Sequence, residues 1–341
     1  MGNQKSTPRN HNNESQDESD SEDEDVKVIL EIEERADSDN AESLTKDCET
    51  CRDMYGSKMV DVRNFSLSCL PEALRKQQVL DYILIQEKIA VKIQVRKCGA
   101  MAGRLFEASG WACVSEDLVT EYASCPLQNC PGNGGDSHKA YGGITVYTNE
   151  HVISEKEEGV NCKIIFFYDR DGAECKENFH LKEDPSGRTM DGTNSSLFSL
   201  SGECILAWGM CVKQVRENKD LVALETIFHD SRLFNIIQTS FTQLQSAWVK
   251  MPKELKKELM EHVIVISHPH GRPKVVSVDK LICLEEATEG EKATRETRYS
   301  AATCKGSSGA PVVSGHYPYR PFTHSSKKEF KDRIENYSLS Y

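Results

Sequence analysis

The sequence predicts a mainly β protein, a barrel or sandwich, with one helical insert and a disordered acidic N-terminal tail. Three observations carry that expectation. From about residue 88 the chain breaks into short β-like runs separated by Gly, Asn and Asp, the pattern of many short strands joined by turns. Leu233, Ile236, Ile237, Phe241, Leu244 and Trp248 interrupt that texture with a stripe at helical spacing, as a core-packing helix would present. The charge is also uneven. The 341 residues sum to −12, yet residues 1–45 alone hold 14 acidic and 4 basic residues, so the rest is nearly neutral.

Residues 1–45 are rich in Asn, Ser, Asp and Glu and nearly free of aromatics. Such a segment buries too little apolar surface to offset chain entropy and is expected to be disordered. Met1-Gly2-x-x-x-Ser6 fits an N-myristoylation pattern on Gly2. One acyl chain binds a bilayer only marginally, and the acidic run Glu14–Asp25 repels an anionic leaflet. Any membrane contact through Gly2 is therefore expected to be weak and reversible. An apolar island, Val26-Lys27-Val28-Ile29-Leu30, lies between acidic runs. Val26, Val28, Ile29 and Leu30 resemble a SUMO-interacting motif, which adds a strand to a partner's sheet edge. The alternative is a short strand packed on the protein's own body.

Residues 46–87 read as a helical lead-in. Leu74, Val79, Leu80 and Ile83 predict a helix over Leu70–Gln86 with Pro71 near its start. Strand-like runs follow at Ile89–Val95, Gly110–Val114, Gly142–Tyr147, Lys163–Tyr168, Cys204–Val212, Leu221–Leu224, Val263–Ser267 and Lys274–Val278. A nearly neutral body argues against nucleic acid, whose phosphates need a basic surface. No stretch approaches the roughly 18 apolar residues of a membrane span. The N-terminus is polar, without the apolar core of a secretory signal. The 13 cysteines are accordingly expected to be mostly reduced in an intracellular protein, cytoplasmic or nuclear.

Three segments carry chemistry. Thr303-Cys304-Lys305-Gly306-Ser307-Ser308-Gly309-Ala310-Pro311 sets a serine between glycines, just before an apolar strand. A serine nucleophile needs such a turn, with backbone N–H groups aimed at the developing oxyanion. Gly306 and Ser308 would supply those donors. The nucleophile also needs a base, and Thr148-Asn149-Glu150-His151-Val152 places a candidate histidine directly after a strand-like run. Asp220 opens the apolar run Leu221–Leu224 and is the candidate for the carboxylate that orients the imidazole; Asp230 is the second candidate.

Together these segments resemble trypsin-like serine peptidases. The chain order His, Asp, Ser is theirs, and Cys304-x-Gly306-x-Ser308-Gly309-x-Pro311 matches their nucleophile motif. Thr148–Val152, Val265-Ile266-Ser267-His268-Pro269-His270-Gly271 and Ser109-Gly110-Trp111 resemble segments of the HtrA-like branch. The likeness spans residues 88–327, leaving 328–341 as a C-terminal tail. It implies two six-stranded β-barrels with His151 and Asp220 on the first and Ser308 on the second. It also implies an intracellular serine endopeptidase acting on protein or peptide substrates. The competing reading is a catalytically inactive trypsin-like fold serving as an interaction or scaffold protein. Some features depart from the family. Ser307 precedes the nucleophile where secreted trypsins carry Asp, so activation by insertion of a freed N-terminus is not expected. Ala302, six before the nucleophile, argues against a preference for Arg or Lys. Only 33 residues follow Ser308 to supply the substrate-binding strands, with Pro321–Ser325 as the candidate.

Cys48 and Cys51 could join Cys125 and Cys130 in a four-thiolate zinc site only if the two pairs meet in space. Separate thiols are the simpler expectation, and the strand–turn likeness accounts for His268 and His270. Neither a metal nor another cofactor is assigned.

Overall fold

The structure, a computed structural model, describes residues 26–35, 48–114, 119–127, 130, 138–160, 162–171, 175–176, 203–216, 220–289, 292–330 and 333–340. In chain order the strands are β1 (Lys27–Leu30), β2 (Glu33–Arg35), β3 (Val60–Asp61), β4 (Ala90–Arg96), β5 (Leu105–Val114), β6 (Thr120–Tyr122), β7 (Ala140–Gly142), β8 (Ile144–Thr148), β9 (Lys163–Phe166), β10 (Cys175–Lys176), β11 (Cys204–Arg216), β12 (Leu221–Phe228), β13 (His262–Ser267), β14 (Val275–Glu289), β15 (Lys292–Tyr299), β16 (Pro311–Ser314), β17 (Tyr317–Glu329) and β18 (Ile334–Ser340). The helices are α1 (Glu49–Met54), α2 (Gln77–Gln86), α3 (Lys156–Gly159), α4 (Arg232–Lys250) and α5 (Lys253–Met260).

Pairing closes two six-stranded antiparallel barrels. The first runs β4-β5-β8-β12-β11-β9 and returns to β4. The second runs β13-β14-β15-β18-β17-β16 and returns to β13. Closure leaves neither ring with an open edge. Strand alternation fills both interiors. Along β13, Ile264 and Ile266 enter the large core while Val263 and Val265 face a second cluster with Tyr299, Val312 and Phe322. The large core also takes Leu233, Ile237 and Leu244 of α4 and Val79, Leu80 and Ile83 of α2, so the two helices pack against the barrels along apolar stripes.

The predicted insert helix appears almost as read. The lead-in helix is shorter than its periodicity predicts. Leu74 is buried, but it sits in a separate 3₁₀ turn, and Lys76 is extended before α2 begins. Two segments differ more. Residues 26–35, assigned above to the disordered tail, form β1 and β2; the rest of residues 1–45, Gly2 included, lies outside the described residues. Residues 334–340, assigned to a C-terminal tail, form β18 and close the second barrel against β15 and β17. Among the described residues no helix is long and apolar enough to cross a membrane.

Candidate active site

The cleft between the barrels gathers the three predicted polar residues. His151 follows β8, and Asp220 immediately precedes β12, which pairs with β8, so the first barrel brings both side chains together. The imidazole Nδ1 lies 2.9 Å from each Asp220 carboxylate oxygen, and the His151 backbone N–H donates to Oδ1 at 3.1 Å. Asp220 holds a left-handed backbone (φ +46°), a shape aspartate tolerates better than most residues. Asn149 Nδ2 donates to the Asp220 carbonyl at 2.9 Å and fixes that turn. On the other ring edge, His151 Nε2 is 2.8 Å from Ser308 Oγ. Asp230, the second candidate acid, is instead paired with Arg232 at 2.6 Å.

The Ser308 loop is held from both barrels. Gly306 and Gly309 have φ of +89° and +87°, in the left-handed region that glycine enters freely. A Cβ on Gly309 would lie 2.1 Å from the Ser109 carbonyl oxygen and 2.3 Å from Thr148 Oγ1. Ser109 of β5 is the latch: its N–H donates to the Ser308 carbonyl at 2.9 Å, and its hydroxyl donates to the Gly306 carbonyl at 2.8 Å. Ser307, where secreted trypsins carry an acid, is buried and donates to Ser267 Oγ at 3.1 Å. Gly309→Val is expected to abolish the loop geometry and destabilise the protein by at least about 3 kcal/mol, read as a fall in melting temperature.

The apolar island takes the alternative weighed for it, a short strand on the protein's own body, but the residue that follows it was not foreseen. The Gly306 and Ser308 N–H groups, proposed as oxyanion donors, both point at one oxygen. It is the backbone carbonyl of Glu31, at 2.6 and 3.2 Å. Upstream of it, β1 pairs antiparallel with β17, Leu30 opposite Ser326 and Ile29 opposite Lys327. Downstream, β2 pairs with β5, Glu33 opposite Glu107. The Glu31 side chain is 2% exposed. Its carboxylate lies 2.7 Å from His324 Nε2 and 2.6 Å from Lys327 Nζ. Burial pushes this carboxyl's pKa up, but Lys327 and His324 outweigh burial and hold it down at about 2. His324 is in turn 2.6 Å from the Tyr299 hydroxyl. Ser325 bridges the Asp220–His151–Ser308 group and this wall: its hydroxyl donates to Asp220 Oδ2, and its carbonyl accepts from Ser308 Oγ at 3.3 Å.

The SUMO-type residues Val26, Val28, Ile29 and Leu30 thus lie on this seated strand. Val26, Val28 and Leu30 are exposed, and one backbone edge of Lys27–Leu30 is taken by β17.

The cysteine pairs do not share one cluster, as a single four-thiolate site would require. Cys48 and Cys51, at the start of α1, meet Cys304 and His270. Cys125 and Cys130 meet His138 and His229. Within each group all four ligand atoms lie within 4.8 Å of one another. Cys48, Cys51, Cys125, Cys130 and Cys304 are free thiols, whereas Cys204 is disulfide-bonded.

No family model matches the chain, and no curated protein matches it. Among solved structures, an inactive, serine-to-alanine form of Rv3671c from M. tuberculosis H37Rv is similar at 11% identity and a TM-score of 0.38. The match covers 76% of this chain and 84% of that one. The active form of the M. tuberculosis Rv3671c protease is similar at 12% identity and a TM-score of 0.38, with 76% and 78% covered. The strand pairing itself, and not this likeness, defines the two barrels. The fold is a double barrel of two closed six-stranded antiparallel rings. A stretch of the same chain runs from the second barrel to the first across the Ser308 loop.

Proposed function

We propose that the chain is an intracellular serine endopeptidase. Ser308 is the nucleophile, His151 takes and returns its proton, and Asp220 fixes the imidazole with Nδ1–H toward the carboxylate. The Gly306 and Ser308 N–H groups receive the oxyanion. The observation that carries this reading is the continuous Asp220–His151–Ser308 relay at 2.9 and 2.8 Å across two barrels. The tautomer that donates from Nδ1 to Asp220 leaves Nε2 to accept the Ser308 hydroxyl. Among the described residues eleven free thiols against one disulfide-bonded cysteine, Cys204, support a reducing compartment. Binding of a SUMO-family partner by Val26, Val28, Ile29 and Leu30 would compete with the cleft for the same strand, so it belongs to the released segment.

A fluorophosphonate, which phosphonylates an activated serine, tests the assignment. It is expected to label a Glu31→Lys protein, whose segment is no longer held in the cleft by charge, and to label the wild type more slowly, because there the Glu31 carbonyl occupies both donors and Ser308 is buried. Ser308→Ala should abolish labelling in both backgrounds. No labelling of either Ser308-containing protein would overturn the enzyme reading in favour of a non-catalytic interaction protein.

A further inference from the structure

The seated segment has the geometry of a substrate, and its acidic residue sits in a pocket built for it. We propose that this protease selects glutamate immediately before the scissile bond and that its first substrate is its own chain, cut between Glu31 and Ile32. The inference rests on the serine endopeptidase reading.

Four observations converge. The Glu31 carbonyl oxygen already occupies the two-donor site that a reacting carbonyl needs. Residues before it extend along β17 in antiparallel register, which aligns a peptide by backbone bonds regardless of its side chains. Residues after it cross to the first barrel, so the chain spans the cleft on both sides of the Glu31–Ile32 bond. Finally, the pocket is specific. His324 is fully buried and backed by Tyr299, and Lys327 donates both to Glu31 and to the Thr303 carbonyl at 2.8 Å. An uncharged side chain there would leave a fully buried imidazole and a half-buried ammonium without their carboxylate, a penalty that makes such sites discriminating. Tethering supplies the high effective concentration of an intramolecular reaction.

The chemistry balances with water alone. Ser308 Oγ forms a bond to the Glu31 carbonyl carbon as its proton passes to His151 Nε2. The bond to the Ile32 nitrogen then breaks, and His151 returns the proton to the leaving amine. Water, deprotonated by His151, hydrolyses the Glu31 ester and regenerates Ser308. The products are a carboxylate at Glu31 and a free amine at Ile32.

Full-length wild-type protein, incubated and read by intact mass and N-terminal sequencing, is expected to yield a fragment beginning Ile32-Glu33-Glu34-Arg35. Ser308→Ala should yield none, and the isosteric Glu31→Gln should be cut at least roughly 100-fold more slowly. Supplied in trans to the Glu31→Lys protein, the peptide Val-Lys-Val-Ile-Leu-Glu-Ile-Glu-Glu should be cleaved after its first Glu with a similar preference over the Gln peptide. Fluorophosphonate labelling of Ser308 without cleavage after Glu31 in either format overturns this proposal and leaves the peptidase reading standing. Loss of both labelling and cleavage overturns both. Cleavage after Gln at an equal rate overturns the pocket's specificity.

Independently, we propose that the two Cys/His groups are structural zinc sites. Tetrahedral zinc with thiolate and imidazole ligands places neighbouring ligand atoms roughly 3.3–3.8 Å apart. The separations are close to that range, with Cys130 Sγ–His138 Nε2 and His138 Nε2–His229 Nε2 a little under it at 3.1 Å. Cys48 Sγ–Cys304 Sγ is 3.3 Å, Cys304 Sγ–His270 Nε2 3.4 Å, Cys130 Sγ–His229 Nε2 3.5 Å and Cys125 Sγ–His229 Nε2 3.3 Å. His270 also shows the outer partner usual for a zinc ligand: its Nδ1 lies 2.6 Å from a Glu33 carboxylate oxygen. Metal analysis of wild-type protein, purified without chelator, is expected to give two zinc per chain. Cys48→Ser and His138→Ala should each retain one. Cobalt-exchanged wild-type protein should show the visible bands of tetrahedral thiolate coordination, a readout that does not depend on the variants folding. Absence of bound zinc together with absence of those bands overturns the proposal.

Discussion

Asp220→Asn is expected to lower kcat by about 10⁴-fold while leaving KM for a glutamyl peptide nearly unchanged. The carboxylate takes a hydrogen bond from His151 Nδ1 and another from the His151 backbone, so it fixes both the tautomer and the position of the ring. An amide of the same shape keeps the volume but can present its NH₂ to Nδ1. The imidazole then turns its N–H toward Ser308 and can no longer take the serine proton. The measurement is steady-state kinetics beside a melting curve. A melting temperature near that of the wild type with a loss under tenfold would show that other contacts hold the ring.

The second large effect is on stability. Lys97→Met is expected to cost about 3–5 kcal/mol and on the order of 10 °C in Tm. Lys97 and Glu158 are both buried, with Nζ 3.0 Å from Oε2. Nζ also donates to the Val152 carbonyl at 2.8 Å, one residue beyond His151. Removing the ammonium leaves a buried carboxylate unpaired and loosens the turn that carries the base. The double variant Lys97→Met, Glu158→Gln should recover much of the loss, because it strands no charge. The pair also has a pH signature. Burial pushes the Glu158 carboxyl up, but the Cys98 N–H and Lys97 outweigh that and hold it below its ordinary value of 4.5. The pair's contribution is therefore complete at neutral pH and disappears as pH falls below about 4.5.

The parts of this site readable in the sequence were those whose chemistry is local. Gly306, Ser308 and Gly309 announce a tight turn before a strand, and His151 and Asp220 each flank a β-like run. Glu31 is not local in that sense. It lies 277 positions from Ser308 in a stretch that composition assigns to disorder, and only pairing with β17 reveals its role. Pro321–Ser325, the stretch expected to supply a substrate-binding strand, does lie in β17 and contains His324, but Lys327 was not singled out. β17 mixes Ser, Lys and His in a run with little apolar alternation, because its side chains serve a polar pocket on one face. β18, assigned from sequence to a C-terminal tail, is likewise a polar run. The histidine partners of the cysteine pairs were invisible too, since Cys130 and His229 are 99 residues apart and meet only when the first barrel closes.

The order in which the second barrel is synthesised has a consequence for timing. Ser308 emerges from the ribosome before β16, β17 and β18, and so before His324, Ser325 and Lys327 exist. A nascent chain ending at the nucleophile has neither the wall that docks residues 27–30 nor the closing strand of its own barrel. The site is thus completed late in biogenesis, and the proposed activity, toward itself or its neighbours, is expected only of a fully translated copy.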